Sequence, residues 1–351
     1  MKERKIFRKK LLEASESMKS VHPFKNIYPW KTRKELAIQM KNSEVYNKGG
    51  LIALCKPYGI AQFTAEGRGH DGEKTIVQLL NSGGVPAETP VLASILPLLK
   101  DMYEVDHLEI VKTCERWNSG LVLLSTKPSL KDKIQKCFRR SKAFKKPALT
   151  FNVITNGIPI TSSGSTKVAI TLENVPNIGK VPMIKKSCST REIEHGASKV
   201  VIVKHSTVAE NEDLQVALVE VNIQTLKWHC LRVWLAHNYC PVLGDSLYGG
   251  RVTSIAGKRV QINPHNLKAY QPQDISSDVL SRLHLPETSL ELIPSFIHLS
   301  KITLSHFNRD KSDLVITAPP PEYFNWTCEQ LGLIFPQVAS IESNSPKRVI
   351  S

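Results

Sequence analysis

The sequence predicts a mixed α/β domain with one sizeable core, and three observations predict it. Apolar runs of strand length recur between residues 50 and 320 and stop at Gly or Pro. Segments with helical spacing of apolar residues lie between them. The apolar share is 41% of 351 residues, ordinary for a chain that buries a core. No run of 18 apolar residues occurs, so no membrane-spanning helix is expected. No apolar stretch near the start suggests a secretory signal.

In chain order, residues 1–44 read as a basic extension. KIFRKKLLEASESMK has the spacing of a short amphipathic helix, and VHPFKNIYPWKTRK, interrupted by prolines, reads as irregular. The folded part is expected from Val45, in a domain covering 45–335. GLIALCKPYGI (50–60) is a buried strand running into a turn. EKTIVQLLNS (73–82) has helical spacing. Strands at 109–111 and 121–125 flank the polar turn KTCERWNSG. Pro128 opens a helix whose apolar stripe is Leu130, Ile134, Cys137 and Phe138.

LTFNVITNGIPI (149–160) alternates as a strand does. Residues 161–199, rich in Ser, Thr and Lys, read as a long insertion or mobile hairpin. VALVEVNIQT (216–225) is a strand, CLRVWLAHN (230–238) a short helix, and PVLGDSLYGGRV (241–252) a Gly-punctuated loop. Strands at 295–306 and 313–320 close the sheet. A last helix starts near Pro321 and stops at Gly332, and 336–351 read as a disordered tail.

The net charge of +15 is concentrated. Residues 1–48 hold thirteen Lys and Arg against five Glu, and residues 131–146 hold eight against one Asp. Elsewhere the charges cancel. Two basic segments of this kind point to a polyanion, most often RNA or DNA. The candidate contacts are Lys131, Lys133, Lys136, Arg139, Arg140, Lys142, Lys145 and Lys146, on the polar face of the helix that starts at Pro128. The first segment reads equally as a basic arm or as an organellar presequence, although Glu13 and Glu16 are unusual in the latter.

Several motifs carry little. GRGHDG (67–72) has the glycine spacing of a dinucleotide loop but follows QFTAE, a poor strand. SSGSTK (162–167) lacks the spacing of a phosphate loop. The seven cysteines are scattered without a CxxC pair, as reduced core thiols are. His229 with Cys230 or Cys240 lacks further ligands at metal spacing, so no metal is expected.

Four segments in order are more specific: KPYG (56–59), KTCERWNSGLVLLSTK (112–127), TLKWHCLRVWLAHN (225–238) and PVLGDSLYGG (241–250). APPPEYF (318–324) follows them. Together they resemble the RluA-type RNA pseudouridine synthases, and most nearly their mitochondrial members, over roughly residues 45–335. The family pattern has N-K-P-x-G, then H-R-L-D-x-x-T-S-G before an apolar strand, then T-G-R-T-H-Q-I-R-V-H-L-A, then P-I-x-G-D-x-x-Y-G. Ser119, Gly120, Thr225, His229, Arg232, Gly244, Asp245 and Tyr248 match it. Glu115 stands where the family has its catalytic Asp, Lys112 and Thr113 replace His-Arg, Leu226 and Lys227 replace Gly-Arg, and Cys230 replaces Gln. Phe151 stands at the family's active-site Tyr, in a strand that keeps Gly157.

The resemblance implies the pseudouridine synthase fold, a largely antiparallel sheet with flanking helices and a central RNA-binding cleft. It implies that Glu115, Phe151 and Arg232 line that cleft. Glu115 would act as nucleophile or base, Arg232 would pair with it, and Phe151 would stack on uracil. Lys227 and His229 join the expected RNA contacts. The reaction needs neither redox chemistry nor a group donor, so no cofactor is implied. RNA is the implied partner, with mitochondrial mRNA or rRNA as substrate. The matrix is the implied compartment, with cytoplasm and nucleus as alternatives. The exchange of Asp for Glu leaves a second reading open: an RNA-binding protein with a disabled site, working with RNA-processing or ribosome-assembly proteins.

Overall fold

A computed structural model describes residues 22–63 and 90–334. The readings at 1–21, 67–72, 73–82 and 336–351 lie outside the described residues. The first helix, α1 (Arg33–Asn42), precedes the hairpin β1 (Glu44–Lys48) and β2 (Leu51–Lys56). Helix α2 (Leu92–Met102) leads to β3 (Glu109–Lys112) and β4 (Ser119–Ser125), and the basic helix α3 (Pro128–Ala143) leads to β5 (Leu149–Asn156). Next come β6 (Ser163–Val175), β7 (Gly179–Lys185), the short α4 (Thr190–Glu194), β8 (Ser198–Asn211) and β9 (Val216–Ile223). Helix α5 (Cys230–His237) precedes a separate hairpin of β10 (Val252–Ile255) and β11 (Lys258–Gln261). Helix α6 (Ser277–Arg282), β12 (Ile297–Leu304), β13 (Leu314–Thr317) and α7 (Glu322–Gln330) complete the fold.

Eleven strands form one sheet, in the order β1-β2-β4-β12-β5-β9-β8-β6-β7, with β3 on β4 and β13 on β12. Among the described pairings only β12 with β4 is parallel. The largely antiparallel α/β architecture expected from the sequence is the one observed.

The centre of the sheet is covered on both faces, which explains its continuous apolar runs. In β2 and β4, Leu51, Ala53, Leu121 and Leu123 enter the main core. The alternate residues Ile52, Leu54, Val122 and Leu124 meet Leu36, Met40, Ile95 and Leu99 of α1 and α2. Each fully buried Leu or Ile of this kind contributes about 1.5–3 kcal/mol.

Two expectations are corrected. Residues 22–42 are not an irregular arm: Phe24, Ile27, Trp30, Leu36, Ala37 and Met40 are buried in the domain. Thr32 caps α1 by accepting from the Glu35 N–H at 3.2 Å, and Glu35 reaches back to the Lys31 N–H at 2.6 Å. Residues 161–199 do form a hairpin, but an ordered one. Its strands β6 and β7 extend the main sheet through nine register pairs between β6 and β8.

Gly120 shows how closely the layers meet. It sits at φ +117°, and a Cβ there would lie 2.4 Å from the Leu299 carbonyl oxygen of β12. Only glycine permits both the backbone angle and the approach. Beside it, the Ser119 hydroxyl lies 2.9 Å from His298 Nδ1, and His298 Nε2 lies 3.2 Å from the Ala318 carbonyl. This chain of contacts fixes the start of β4 to β12 and to the segment after β13.

Candidate active site

The turn between β3 and β4 carries Glu115 and is held from beneath. Lys56, fully buried at the end of β2, donates to the carbonyls of Pro57 at 3.1 Å, Arg116 at 3.4 Å and Asn118 at 2.6 Å. The Gly59 N–H donates to the Arg116 carbonyl at 2.9 Å, and Arg116 Nε returns a bond to the Gly59 carbonyl at 3.2 Å. The KPYG turn is thus the foundation of the Glu115 turn. Burial lowers the basicity of the Lys56 amine, and Cys114, Cys55 and Glu115 act in the opposite sense.

Glu115 is half-buried, and its carboxylate forms no ion pair among the described residues. It lies within electrostatic reach of Lys56, Lys112, His229, Arg232 and Tyr248. Burial lowers Lys112 and His229, and the charge of Glu115 opposes both shifts. A carboxylate that gathers several cations without being locked to one remains able to reach a ligand.

The expected pair of Glu115 with Arg232 is corrected. Arg232, 2% exposed, binds Asp245 through Nε at 2.9 Å and Nη2 at 2.5 Å. Burial works against both charges, but each partner outweighs it: Arg232 is raised, chiefly by Asp245 and then Glu115, and Asp245 is lowered by Arg232. The reason lies in the Gly-punctuated loop. Asp245 also accepts from the N–H groups of Leu247 at 2.9 Å and Tyr248 at 3.0 Å, so its carboxylate is fixed as a planar fork for the guanidinium. Glu115 stands behind Asp245 as the second negative neighbour of Arg232.

Phe151 is corrected as well. Its ring has no exposure and sits in the main core, where Val221 and Leu299 flank it in register. It belongs to the main core and presents no open face to a ligand. The residues with standing electrostatic contact to Glu115 include three that were not assigned there: Lys56, Lys112 and Tyr248. The Tyr248 hydroxyl lies 2.8 Å from His229 Nδ1, and the guanidinium carbons of Arg232 and Arg251 lie 5.1 and 4.6 Å from the Tyr248 ring centre. The match of Tyr248 to the sequence pattern was the available signal for that residue.

Among the expected RNA contacts, Lys133, Lys136, Arg139, Arg140, Lys142, Lys145 and Lys146 are exposed along and after α3. Lys131 is instead paired with Glu109 at 2.5 Å. Lys133 sits 4.1 Å over the Phe307 ring centre. Lys227 is exposed, whereas His229 is turned into the site by its contact with Tyr248. Trp228 and His229 both have left-handed backbones, at φ +58° and +51°. Such angles cost about 1–2 kcal/mol each in residues with a Cβ, and strain of this kind collects at functional sites.

A cavity of about 430 Å³ opens beside the Arg232–Asp245 pair, lined by Tyr58, Trp117, Asp245, Tyr270, Ile275 and Leu290 among others. Its wall mixes these apolar side chains with Ser246, Gln273, Glu287, Thr288 and Glu291, and Glu115 is not among its lining residues. No group of three or more potential metal ligands occurs among the described residues.

Fold and site together define a mixed α/β domain with a carboxylate set among cations and a basic helix on its surface. No protein-family model matches the chain. The chain is 30% identical to the mitochondrial mRNA pseudouridine synthase of Homo sapiens over 313 residues, 89% of this chain and 82% of that protein. It is 30% identical to the protein of that name from Bos taurus over 302 residues, 86% of this chain and 81% of that protein. The solved structure of human RNA pseudouridylate synthase domain containing 4 superposes with a TM-score of 0.63 at 19% identity, covering 87% of this chain and 98% of that one, a likeness of fold. The chain belongs to the RluA-like family of RNA pseudouridine synthases.

Proposed function

We propose that this protein converts uridine to pseudouridine in mitochondrial mRNA, working in the matrix with Glu115 as its carboxylate. The names of the two 30%-identical relatives support the substrate and the organelle. The observation that carries the catalytic reading is the state of Glu115: partly exposed, in no ion pair among the described residues, and set among Lys56, Lys112, His229 and Arg232. Arg116, its neighbour in the chain, does not compete for it. Arg116 instead spends its Nε on the Gly59 carbonyl and stacks 4.7 Å from the Trp117 ring centre.

The reaction breaks the N1–C1′ bond, turns the uracil and forms a C1′–C5 bond; C5 loses a proton and N1 gains one. The target base leaves its stack to be reached. Glu115 meets C1′ as nucleophile, or takes a proton as base. The cations around it complement its charge and the phosphates of the substrate. Phe151 supports the site from the core.

A second reading rests on one observation. Arg232 spends its fork on Asp245 rather than on Glu115, as it would in a site that binds RNA without turning it over. One rescue experiment separates the two. Cells lacking the protein receive wild type, Glu115→Ala or Glu115→Asp, and pseudouridines are mapped in organellar RNA. The catalytic reading expects at least one site that returns with wild type and not with Glu115→Ala. Restoration of every dependent site by Glu115→Ala would leave the RNA-binding reading in its place.

A further inference from the structure

The left-handed turn before α5 lifts one aromatic residue out of the core. Trp228 is half-buried, with φ +58° and ψ +35°. It packs against the main core, and the Lys199 ammonium lies 3.7 Å from its ring centre. Lys199 comes from β8, a strand that contributed no expected site residue. The indole therefore carries a removable cationic cover at the mouth of the Glu115 site.

The cover does not stand alone. Lys227 precedes Trp228 and is exposed, and Lys142 projects from the last turn of α3. Both are close enough to Lys199 to disfavour its charge, and Lys227 does the same to Lys112. None of Lys112, Lys142, Lys199 and Lys227 forms an ion pair among the described residues. Burial comes first in lowering Lys112 and Lys199, and three neighbouring pairs of ammonium groups, Lys142 with Lys199, Lys199 with Lys227 and Lys227 with Lys112, link the end of the basic helix to the neighbourhood of Glu115. Such an arrangement is costly in the free protein and is relieved by a chain of phosphates. An aromatic face set within a cationic track is the combination that grips unpaired nucleotides, since every base offers a π-face.

We propose that Trp228 and Lys199 form a clamp for single-stranded RNA next to the target nucleotide. A base flanking the target replaces Lys199 on the indole, and Lys199 moves to a phosphate. Lys142, Lys199, Lys227 and Lys112 mark the course of the strand from α3 to Glu115. The clamp rests on the RNA-modifying function proposed above, and it makes Trp228 a positioning residue.

The test measures binding of a fluorescent single-stranded, uridine-containing RNA to the full chain over a range of salt concentrations. Wild type, Trp228→Ala, Trp228→Phe, Lys199→Ala and Lys258→Ala are compared after thermal melts show that each is folded. Trp228→Ala is expected to weaken binding about tenfold with the salt slope unchanged, since a stacking contact carries no counterions. Trp228→Phe should recover most of that loss. Lys199→Ala should flatten the slope of log K against log salt by about 0.7, the value for one phosphate contact on a single strand. Lys258→Ala, on the separate β10–β11 hairpin, should bind as wild type does. Wild-type affinity and slope in both Trp228→Ala and Lys199→Ala would overturn the clamp. If wild type itself binds no RNA, the function beneath the clamp fails, and the clamp with it.

Discussion

Replacing Lys56 by Met tests whether the KPYG turn positions the acid. The side chain is fully buried, and its ammonium serves three carbonyls. The bond at 2.6 Å and the bond at 3.1 Å carry most of the energy; the one at 3.4 Å adds little. A hydrogen bond to a charged group is worth about 1.5–3 kcal/mol, so about 3–6 kcal/mol of gross interaction disappears. Met fills similar space and removes a buried ion whose desolvation costs several kcal/mol. The two terms nearly cancel, and Lys56→Met is expected to stay within about 2 kcal/mol of wild type at neutral pH. The Arg116 carbonyl keeps its bond from Gly59, so the turn relaxes rather than unravels. A shift of about 1 Å at Glu115 nonetheless costs on the order of a hundredfold in rate.

Two assays check this. Urea denaturation across pH reads the ammonium directly. The folded value of Lys56 lies below its ordinary 10.5, so between the two values the unfolded chain holds a proton that the folded chain lacks. Wild-type stability therefore contains a contribution that rises as pH climbs through the folded value towards about 10.5, and Lys56→Met should lack it. Pseudouridine formation, read as in the rescue experiment, should fall about a hundredfold. Full activity together with an unchanged pH profile would refute the argument.

Two further outcomes follow from buried charges. Asp245→Ala strands Arg232 in the core and should cost about 3–5 kcal/mol in denaturant unfolding. Because the folded value of Asp245 lies below the ordinary 3.8, wild type should lose this contribution as pH falls from that region through the folded value, and Asp245→Ala should not. His298 is held neutral by burial, down to about 4 from an ordinary 6.5. The folded chain binds fewer protons in that window, so stability should fall by about 3 kcal/mol as pH drops from 6.5 to about 4. His298→Asn should flatten the fall in a pH series of urea melts.

The central strands were legible because the sheet is covered on both faces. LIALC and LVLLS therefore read as unbroken apolar runs, and the structure places strands over both. The basic helix was legible from its stripe of Ile134 and Cys137, both buried. Helix α2 was missed because Pro97 sits inside it and proline reads as a breaker. Helix α1 was missed although T-R-K-E has the spacing of a capping box, because the prolines upstream drew the segment into the irregular arm. The outer strands read only as an insertion or mobile hairpin, because β6 begins with five exposed residues and has little apolar pattern there. In the site, the motifs paired Arg232 with Glu115, whereas the structure pairs it with Asp245. Asp245 and Arg232 are 13 residues apart, and only the fold brings them within 2.5 Å.

On the proposed reading, the changes around Glu115 belong together. Lys56, which the family pattern shares, holds the Pro57 and Asn118 carbonyls from beneath, so the turn that carries the longer acid keeps the family's support. An arginine committed to Asp245 cannot also anchor the acid, but its remaining charge still reaches Glu115. Lys112, in place of the histidine that opens the family motif, adds a second cation on the other side of the turn, and burial makes that cation easier to neutralise. The carboxylate is thereby set among several charges rather than held in one bidentate pair. The Glu115→Asp arm of the rescue experiment exposes the consequence. The shorter side chain keeps the charge but withdraws it from these neighbours, so Asp should restore modification less well than Glu, the reverse of what a merely degraded site would give.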